Sequence, residues 1–336
     1  MKEEGYFLHK YNADGSLASL WHPWVRGGKP QLPIQEDETA LVIWLVARHY
    51  DRTRDLDLLR SLYTPLVVRP AEFLMRYRDV STGLPLPSFD LWEERQGVFT
   101  FTCAAVQAGL SAAARLAALF NDQERSSAWS AAADEMRDAM MAHLWLEQEG
   151  RFARGLVLDG DELRLDKTVD ASTFATFYLG TFAAKSAVVE GTMRAIREAL
   201  AVKTEVGGLA RYENDAYHHR VSDETTRVPG NPWLICTLWS AEYVIARART
   251  IGELQSALDI VRWARSKATP SLVLPEQVDP YDGKPLSVAP LTWSHAQVVS
   301  VVRNYLDALR AMRAGTAEHE ARRAYELDRS TSVDNE

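Results

Sequence analysis

The chain has 336 residues, of which 46% are hydrophobic and 25% are charged, a composition typical of a globular protein and not of a disordered one. The formal net charge is −8 and the basic residues are scattered, which argues against nucleic-acid binding. No apolar run approaches the ~20 residues of a membrane span, and MKEEGYFLHKYNADG at the start lacks the apolar core of a signal peptide. We therefore expect a cytoplasmic protein that binds neither nucleic acid nor membrane.

Apolar residues at helical spacing predict about nine helices, and hence an all-α fold. The predicted helices cover 38–50, 55–78 (interrupted near Pro65 and Pro70), 99–120, 122–146, 171–183, 186–201, 232–249, 253–268 and 293–313. Residues 79–98 are predicted to form a loop. Alternating apolar and polar residues around Asp159-Gly160 predict a β-hairpin within 151–166. Residues 316–336 are polar and charged, and EHEARRAYELD is a candidate surface helix.

Five of these helices begin directly after a loop rich in acids, aromatic residues, Gly and Pro. The five starts lie near Glu38, Phe99, Ser172, Pro232 and Trp293, at intervals of 60–73 residues. A second helix without such a loop lies between each pair, so the pattern predicts repeated helical hairpins whose functional loops collect at one end. A set of unrelated helices is the alternative.

The first two loops carry clustered carboxylates. Glu36, Asp37 and Glu38 stand at a helix start, where acids are favoured by the helix dipole, so capping is as good an interpretation as a site. In PSFDLWEERQG, residues 87–97, an aromatic ring stands beside acids, as in sites where a ring stacks on a sugar and a carboxyl bonds its hydroxyls. A solvated acidic surface is the alternative. The residues concerned are Asp90, Trp92, Glu93 and Glu94.

The later loops add further candidates. Arg211 and Asp215 form either a clamp on substrate hydroxyls or a structural ion pair. Trp233 follows the turn Gly230-Asn231-Pro232 into a helix. Glu276 follows an apolar run, where partial burial would tune its pKa, and Trp293 begins the last helix.

The sequence lacks the motifs typical of metal, nucleotide and serine-hydrolase sites. The histidines have no metal-ligand spacing, and Cys103 and Cys236 stand in apolar segments typical of buried thiols. No dinucleotide-binding, phosphate-binding or serine-hydrolase motif occurs, so we expect neither a metal nor a cofactor. The remaining possibility is carboxylate chemistry in an aromatic pocket, which indicates glycoside hydrolysis.

Five separated stretches resemble one family. PIQEDETAL, DLWEE, GGLARYENDAY, GNPWLICTLW and PEQVDPYDGKPLSVAPLTWSHA are similar, in this order, to the glucoamylase family, glycoside hydrolase family 15. The resemblance spans roughly 5–312 and is closer to the prokaryotic glucoamylase and glucodextranase branch than to the trehalases. It implies an (α/α)6 barrel as a catalytic domain over 1–313, followed by a charged tail over 314–336.

The resemblance also implies an inverting, exo-acting enzyme that releases β-glucose from the non-reducing ends of α-glucans or malto- and isomalto-oligosaccharides. By motif, Glu93 corresponds to the general acid, with a raised pKa, and Glu276 to the ionised general base. In an inverting site the two carboxyls stand about 6.5–9.5 Å apart. Glu94 corresponds to a binder of the leaving sugar. The remaining substrate-pocket positions are Asp90, Trp92, Arg211, Asp215, Trp233 and Trp293. Pro275, where the family commonly has Ser, is expected to stiffen the loop of the base.

The front of the chain departs from the family. Six-fold closure needs six inner helices, whereas five are predicted, and the family's Trp-Pro-Arg-Asp loop has no counterpart, since WHPW at 21–24 lacks the Arg-Asp pair. An incomplete barrel would expose apolar edges. The alternatives are that the chain is a fragment, that self-association covers these edges, or that the tail helix covers them.

Three functional hypotheses follow: an α-glucosidic exo-hydrolase, a non-catalytic remnant that at most binds sugar, and a trehalase. The trehalase is disfavoured by IQEDET before the first helix. The sequence does not fix the preference between α-1,4 and α-1,6 bonds.

Overall fold

The computed structural model describes residues 5–8, 11–16, 25–26, 29–30, 34–218 and 226–333. WHPW at 21–24 lies outside these residues, as does His219. The chain divides into two compact units, Met1–Ala195 and Ile196–Glu336, and each has its own core.

The first unit combines helices with short antiparallel strands. Its elements up to the first long helix pair are β1 (Val25–Arg26), β2 (Lys29–Pro30), α1 (Glu36–Thr53), α2 (Leu56–Leu62), a π-helical stretch (Tyr63–Val68), α3 (Arg69–Arg76), β3 (Ser88–Phe89), β4 (Gln96–Phe99), α4 (Thr100–Leu119) and α5 (Gln123–His143). It continues with β5 (Trp145–Leu146), β6 (Arg151–Phe152), β7 (Gly155–Asp159), β8 (Glu162–Asp166), a 3₁₀ turn (Ala171–Phe174) that leads into α6 (Ala175–Tyr178), and α7 (Ala187–Leu200), which ends in the second unit.

The second unit is built around three helices. Its elements are α8 (Leu234–Arg247), α9 (Ile251–Ser266), β9 (Gln277–Val278), β10 (Pro285–Leu286) and α10 (Thr292–Val333). Fully buried side chains of Leu238, Leu254 and Val301 join α8, α9 and α10 in one apolar cluster. Buried Glu242 on α8 accepts hydrogen bonds from three side chains of α10, Gln297, Ser300 and Asn304. The cluster and this polar contact hold the last helix in place.

The predicted all-α class and helix count are confirmed, since nine helical segments occur in the described part of the chain when α2, the π-helical stretch and α3 are taken as one. The predicted interruption near Pro65 lies in the π-helical stretch, because proline lacks the N–H that an α-helical bond needs. All five predicted starts lie within two residues of an observed one. The fifth segment is shorter than predicted, ending at Tyr178 rather than at 183.

The β-hairpin prediction is also confirmed. β7 and β8 pair antiparallel, and Gly160 begins the two-residue connection with a φ of +63°. They extend a four-stranded sheet in the order β3-β4-β7-β8. The prediction of a loop over 79–98 is therefore wrong in part, because β3 and β4 lie within it. A side chain at Gly97 would collide with the carbonyl oxygen of Leu156, so the glycine allows this close pairing.

Helix α4 is the central element of the first unit. It packs on α1 and α5, and Gly109 lets α1 approach, since a Cβ there would lie 2.9 Å from the carbonyl oxygen of Ala40. Among the described residues, α4 is also the one helix long and apolar enough to cross a membrane by length and composition. Most of it is buried within the structure, as in the core helix of a globular protein.

Helix α10 continues without a break from Thr292 to Val333, so it includes residues 314–333 of the predicted charged tail. The candidate surface helix EHEARRAYELD is thus part of one helix that begins at Thr292. The division of the chain after residue 313 stays a prediction.

Candidate active site

The tip of the β3–β4 hairpin carries four of the predicted site residues, Asp90, Trp92, Glu93 and Glu94. Asp90 organises this tip. Its Oδ1 accepts hydrogen bonds from the backbone N–H groups of Glu94 at 2.8 Å and Arg95 at 3.1 Å, and its carbonyl oxygen accepts from Glu93 at 2.9 Å. The turn therefore depends on the carboxyl of Asp90.

Asp90 is buried, and burial raises its pKa to about 6, while the two backbone N–H groups act in the opposite direction. The side chain of Gln35, just before α1, donates to the carbonyl oxygen of Asp90 at 3.1 Å. This contact joins the first and second predicted functional loops. Asp90 thus has a structural task in the turn, and its predicted contact with substrate stays a prediction.

Glu93 lies at the most constrained point of the tip. Its φ is +60°, in the left-handed region that is costly for residues other than glycine. The residue is partly buried, whereas Glu94 is exposed and accepts an ion-paired hydrogen bond from Arg95 at 2.9 Å. Such unfavourable backbone conformations concentrate at functional sites.

The indole of Trp92 is fixed by Asp170, a residue that the sequence analysis did not identify. Trp92 Nε1 lies 3.2 and 3.1 Å from the two carboxylate oxygens of Asp170, and 9% of Trp92 is exposed. Asp170 also lies 3.0 Å from Nε of Arg154 and accepts from the backbone N–H of Ser172 at 2.8 Å. Asp170 lies just before the helix start predicted near Ser172. An acid at such a position was the one sequence signal that could have identified it.

The acids at the start of α1 are buried rather than placed at a solvent-exposed cap. Burial raises the pKa of Asp37 to about 8, with Glu38 adding to the effect, and Thr102 donates to Asp37 Oδ2 at 3.1 Å. Burial also raises the pKa of Glu36 well above its usual value, and neither of its carboxyl oxygens has a hydrogen-bond partner among the described residues. Capping therefore does not describe these two side chains.

In the second unit, Arg211 and Asp215 bind each other. Nε and Nη2 of Arg211 donate to the two carboxylate oxygens of Asp215 at 2.8 and 2.7 Å. Arg211 is 3% exposed and Asp215 1%. The guanidinium also lies over three aromatic rings, those of Tyr212, Tyr217 and Trp233, at 4.7, 5.2 and 4.8 Å. The structure has the ion pair, and the clamp on substrate stays a prediction.

Glu276 receives its orientation from a chain of amides. Gln277 Nε2 donates to Glu276 Oε2 at 3.2 Å. Asn231 Nδ2 in turn donates to Gln277 Oε1 at 2.7 Å and to the carbonyl oxygen of His218 at 2.8 Å. Asn231 and Gln277 are buried, so this chain is shielded from water. From the sequence, Asn231 is predicted only as part of a turn, and no pattern points to Gln277.

The start of α10 fastens the loop that carries Glu276. Ser294 Oγ donates to the carbonyl oxygen of Pro275 at 2.9 Å, and His295 Nε2 accepts from the backbone N–H of Leu274 at 3.0 Å. Trp293, beside them, is 37% exposed, and its ring centre lies 5.8 Å from that of buried Trp239. Trp293 is therefore a predicted site residue whose side chain is partly exposed to solvent.

The structure thus gathers the predicted residues into two groups. The first unit brings together Asp90, Trp92, Glu93 and Glu94, and the second brings together Arg211, Asp215 and Trp233, with Trp233 paired through the backbone to Gln277 beside Glu276. Within the residues that the structure describes, no group of three or more His, Cys, Asp or Glu side chains could hold a metal ion.

Two relatives are similar to most of the chain. An uncharacterized glycosyl hydrolase of Methanocaldococcus jannaschii is 30% identical over 302 residues, which are 87% of this chain and 45% of the relative. A trehalase of Mycobacterium tuberculosis is 25% identical over 66% of this chain and 30% of its own length. The chain spans less than half the length of either relative.

The fold is also that of a solved glycosidase. A bacterial glucoamylase whose structure was determined with acarbose matches with a TM-score of 0.66 and 25% sequence identity, covering 84% of this chain and 42% of that one. This likeness confirms the predicted all-α, glucoamylase-like fold class. The family model of glycosyl hydrolases family 15 matches residues 23–303, well over half of the chain. The chain therefore belongs to family 15 of the glycosyl hydrolases.

Proposed function

We propose that the protein is an inverting, exo-acting α-glucoside hydrolase that releases β-glucose from the non-reducing ends of α-glucans or of malto- and isomalto-oligosaccharides. Glu93 is the general acid and Glu276 is the general base. The observation that carries the proposal is the hydrogen bonding of Glu276. Its carboxylate accepts from Gln277, whose own side chain is held by buried Asn231. A general base must present one oxygen to water in a fixed direction, and this contact supplies that direction.

The setting of Glu93 supports its role as the acid. The residue stands at a hairpin tip held by Asp90, beside the anchored indole of Trp92. The residue is partly buried and its backbone position is fixed by the turn, so its carboxyl can be presented to a glycosidic oxygen in one orientation, as a general acid requires. The exposed face of Trp293 supports a stacking role toward a sugar ring.

The test is sugar release by the purified chain from maltose, isomaltose and trehalose. We expect Glu93→Gln and Glu276→Gln to lower kcat by at least about 100-fold, since each removes a proton-transferring group while keeping its shape. Glu124→Gln, which changes an exposed acid on α5, is the matched control and should leave the rate unchanged. Polarimetry or NMR of the first product should detect the β-anomer. Full activity in both active-site variants would refute the assignment.

A non-catalytic sugar-binding protein is the second candidate. The observation that favours it is that Arg211 and Asp215, two of the predicted substrate-binding residues, bind each other. It predicts a folded chain that binds maltose without turnover. A trehalase is a further candidate, favoured by the relative of that name from Mycobacterium tuberculosis. It predicts that trehalose is hydrolysed faster than maltose, which the same assay measures.

A further inference from the structure

Asp170 contacts Trp92, the residue before the proposed acid Glu93, and is not itself part of the proposed chemistry. It lies 78 positions from Trp92 in the sequence, between β8 and the 3₁₀ turn, and it is buried together with its partner Arg154. Its carboxylate oxygens accept hydrogen bonds from the indole of Trp92 and from the backbone N–H of Ser172. They also form an ion pair with the guanidinium of Arg154, so the contacts come from different parts of the first unit.

These contacts fix more than one side chain. Arg154 also binds Asp166 at 3.2 Å, and the carbonyl oxygen of Arg154 accepts from the backbone N–H of Thr100 at the start of α4. Asp170 therefore attaches the indole to the strand pair β7–β8 and to the first turn of α4. Trp92 immediately precedes Glu93, so whatever fixes the indole also limits how the left-handed residue beside it can rotate.

From this arrangement we infer that Asp170 is a positioning residue, which acts through the indole of Trp92 to hold the carboxyl of Glu93 in its productive orientation. The inference rests on the proposed function, because it assigns Asp170 a part in the work of the proposed acid. A group misplaced by about 1 Å can cost ~100-fold in rate, so a residue that prevents such misplacement affects kcat without touching substrate.

The alternative is that Asp170 serves stability alone, as the N-cap of the 3₁₀ turn and the partner of Arg154. The two roles can be separated through Trp92. Asp170→Asn removes the charge that pairs with Arg154 and keeps a single acceptor oxygen for Trp92 and Ser172. Trp92→Phe removes the indole N–H together with part of the aromatic ring system, and leaves the contacts of Asp170 with Arg154 and Ser172. If Asp170 acts through the indole, its substitution should matter only where the indole is present.

The experiment is a double-mutant cycle on sugar release with Asp170→Asn, Trp92→Phe and the double variant. We expect Asp170→Asn to lower kcat by about 10- to 100-fold with KM changed by less than about threefold, and to have less than about a threefold effect in the Trp92→Phe background. Asp51→Asn is the matched control: it removes the charge of a carboxylate that pairs with Arg115 near the C-terminal end of α1, and its kcat should equal that of the unchanged chain.

A second measurement covers the case in which Asp170→Asn folds poorly. In ¹⁵N-indole NMR spectra, the resonance missing from Trp92→Phe identifies Trp92. We expect Asp170→Asn to shift that resonance and speed its exchange with solvent, and to leave the other nine indole resonances in place. Movement of all ten would indicate a general loss of structure and would overturn the positioning role.

The remaining outcomes separate the two proposals. An equal effect of Asp170→Asn in both backgrounds, or normal kcat in Asp170→Asn while Glu93→Gln is inactive, overturns the inference and leaves the proposed function standing. Absence of turnover by the unchanged chain, or full turnover by Glu93→Gln, overturns the proposed function and the inference with it.

Discussion

Asp37 makes the stability of the protein depend on pH in a direction opposite to that of most carboxylates. Burial raises its pKa from 3.8 to about 8, so the folded chain keeps a proton that the unfolded chain releases above about pH 4. A raised pKa of this kind stabilises the fold fully below the unfolded value, and that stability is lost as the pH rises toward the folded value.

The size of the effect follows from the two pKa values. Between about pH 5 and pH 7.5 the unfolded chain is almost fully deprotonated at this site, while the folded chain still holds most of its proton. The unfolding free energy therefore falls by about 3 kcal/mol as the pH rises over this interval. Asp37→Asn keeps an acceptor for Thr102 and removes the ionisation. We therefore expect the variant to gain about 3 kcal/mol relative to the unchanged chain over this interval.

The assay is urea denaturation of both chains at several pH values, with fluorescence and circular dichroism as probes. Glu124→Gln, an exposed acid in the first turn of α5, is the control and should give a difference that stays within a few tenths of a kcal/mol at every pH. If the difference between Asp37→Asn and the unchanged chain does not grow with pH, the proton is not held at Asp37 and the reasoning is wrong.

Two further predictions concern the second unit. Asp215→Ala leaves the buried guanidinium of Arg211 without its carboxylate and should lower the unfolding free energy by about 3–5 kcal/mol in urea titrations; a loss below about 1 kcal/mol would mean that water reaches the guanidinium. Asn231→Ala removes the amide that holds Gln277 against Glu276 and should lower kcat by about 10- to 100-fold in the sugar-release assay, whereas unchanged turnover would show that Gln277 keeps its place unaided.

The helices could be predicted because their patterns are local. Each of the five starts follows a loop with acids, Gly or Pro, and each helix has apolar residues at helical spacing, so the boundaries near Glu36 and Thr292 were found within two residues. β3 and β4 could not be predicted, since strands of two and four residues are too short for alternation to be visible.

The site was predictable only where a motif carries it. Glu93 and Glu276 are predicted site residues because of the stretches that surround them. The hydrogen bonds from Trp92 to Asp170 and from Asn231 to Gln277 were not predicted, since the partners are 78 and 46 positions apart in the sequence. Such long-range hydrogen bonds depend on packing, which leaves no periodic pattern in the sequence. The burial of Glu36 and Asp37 was missed for the same reason, because acids at a helix start are ordinarily exposed.

The left-handed backbone at Glu93 means that the residue best for stability and the residue needed for the proposed activity differ at this position. Glycine would adopt this conformation without the steric cost, which is about 1–3 kcal/mol for other residues, and would therefore favour the folded chain. It would also delete the carboxyl on which the proposed chemistry depends. Glu93→Gly is thus expected to raise the stability of the chain and to remove the proposed acid in one substitution.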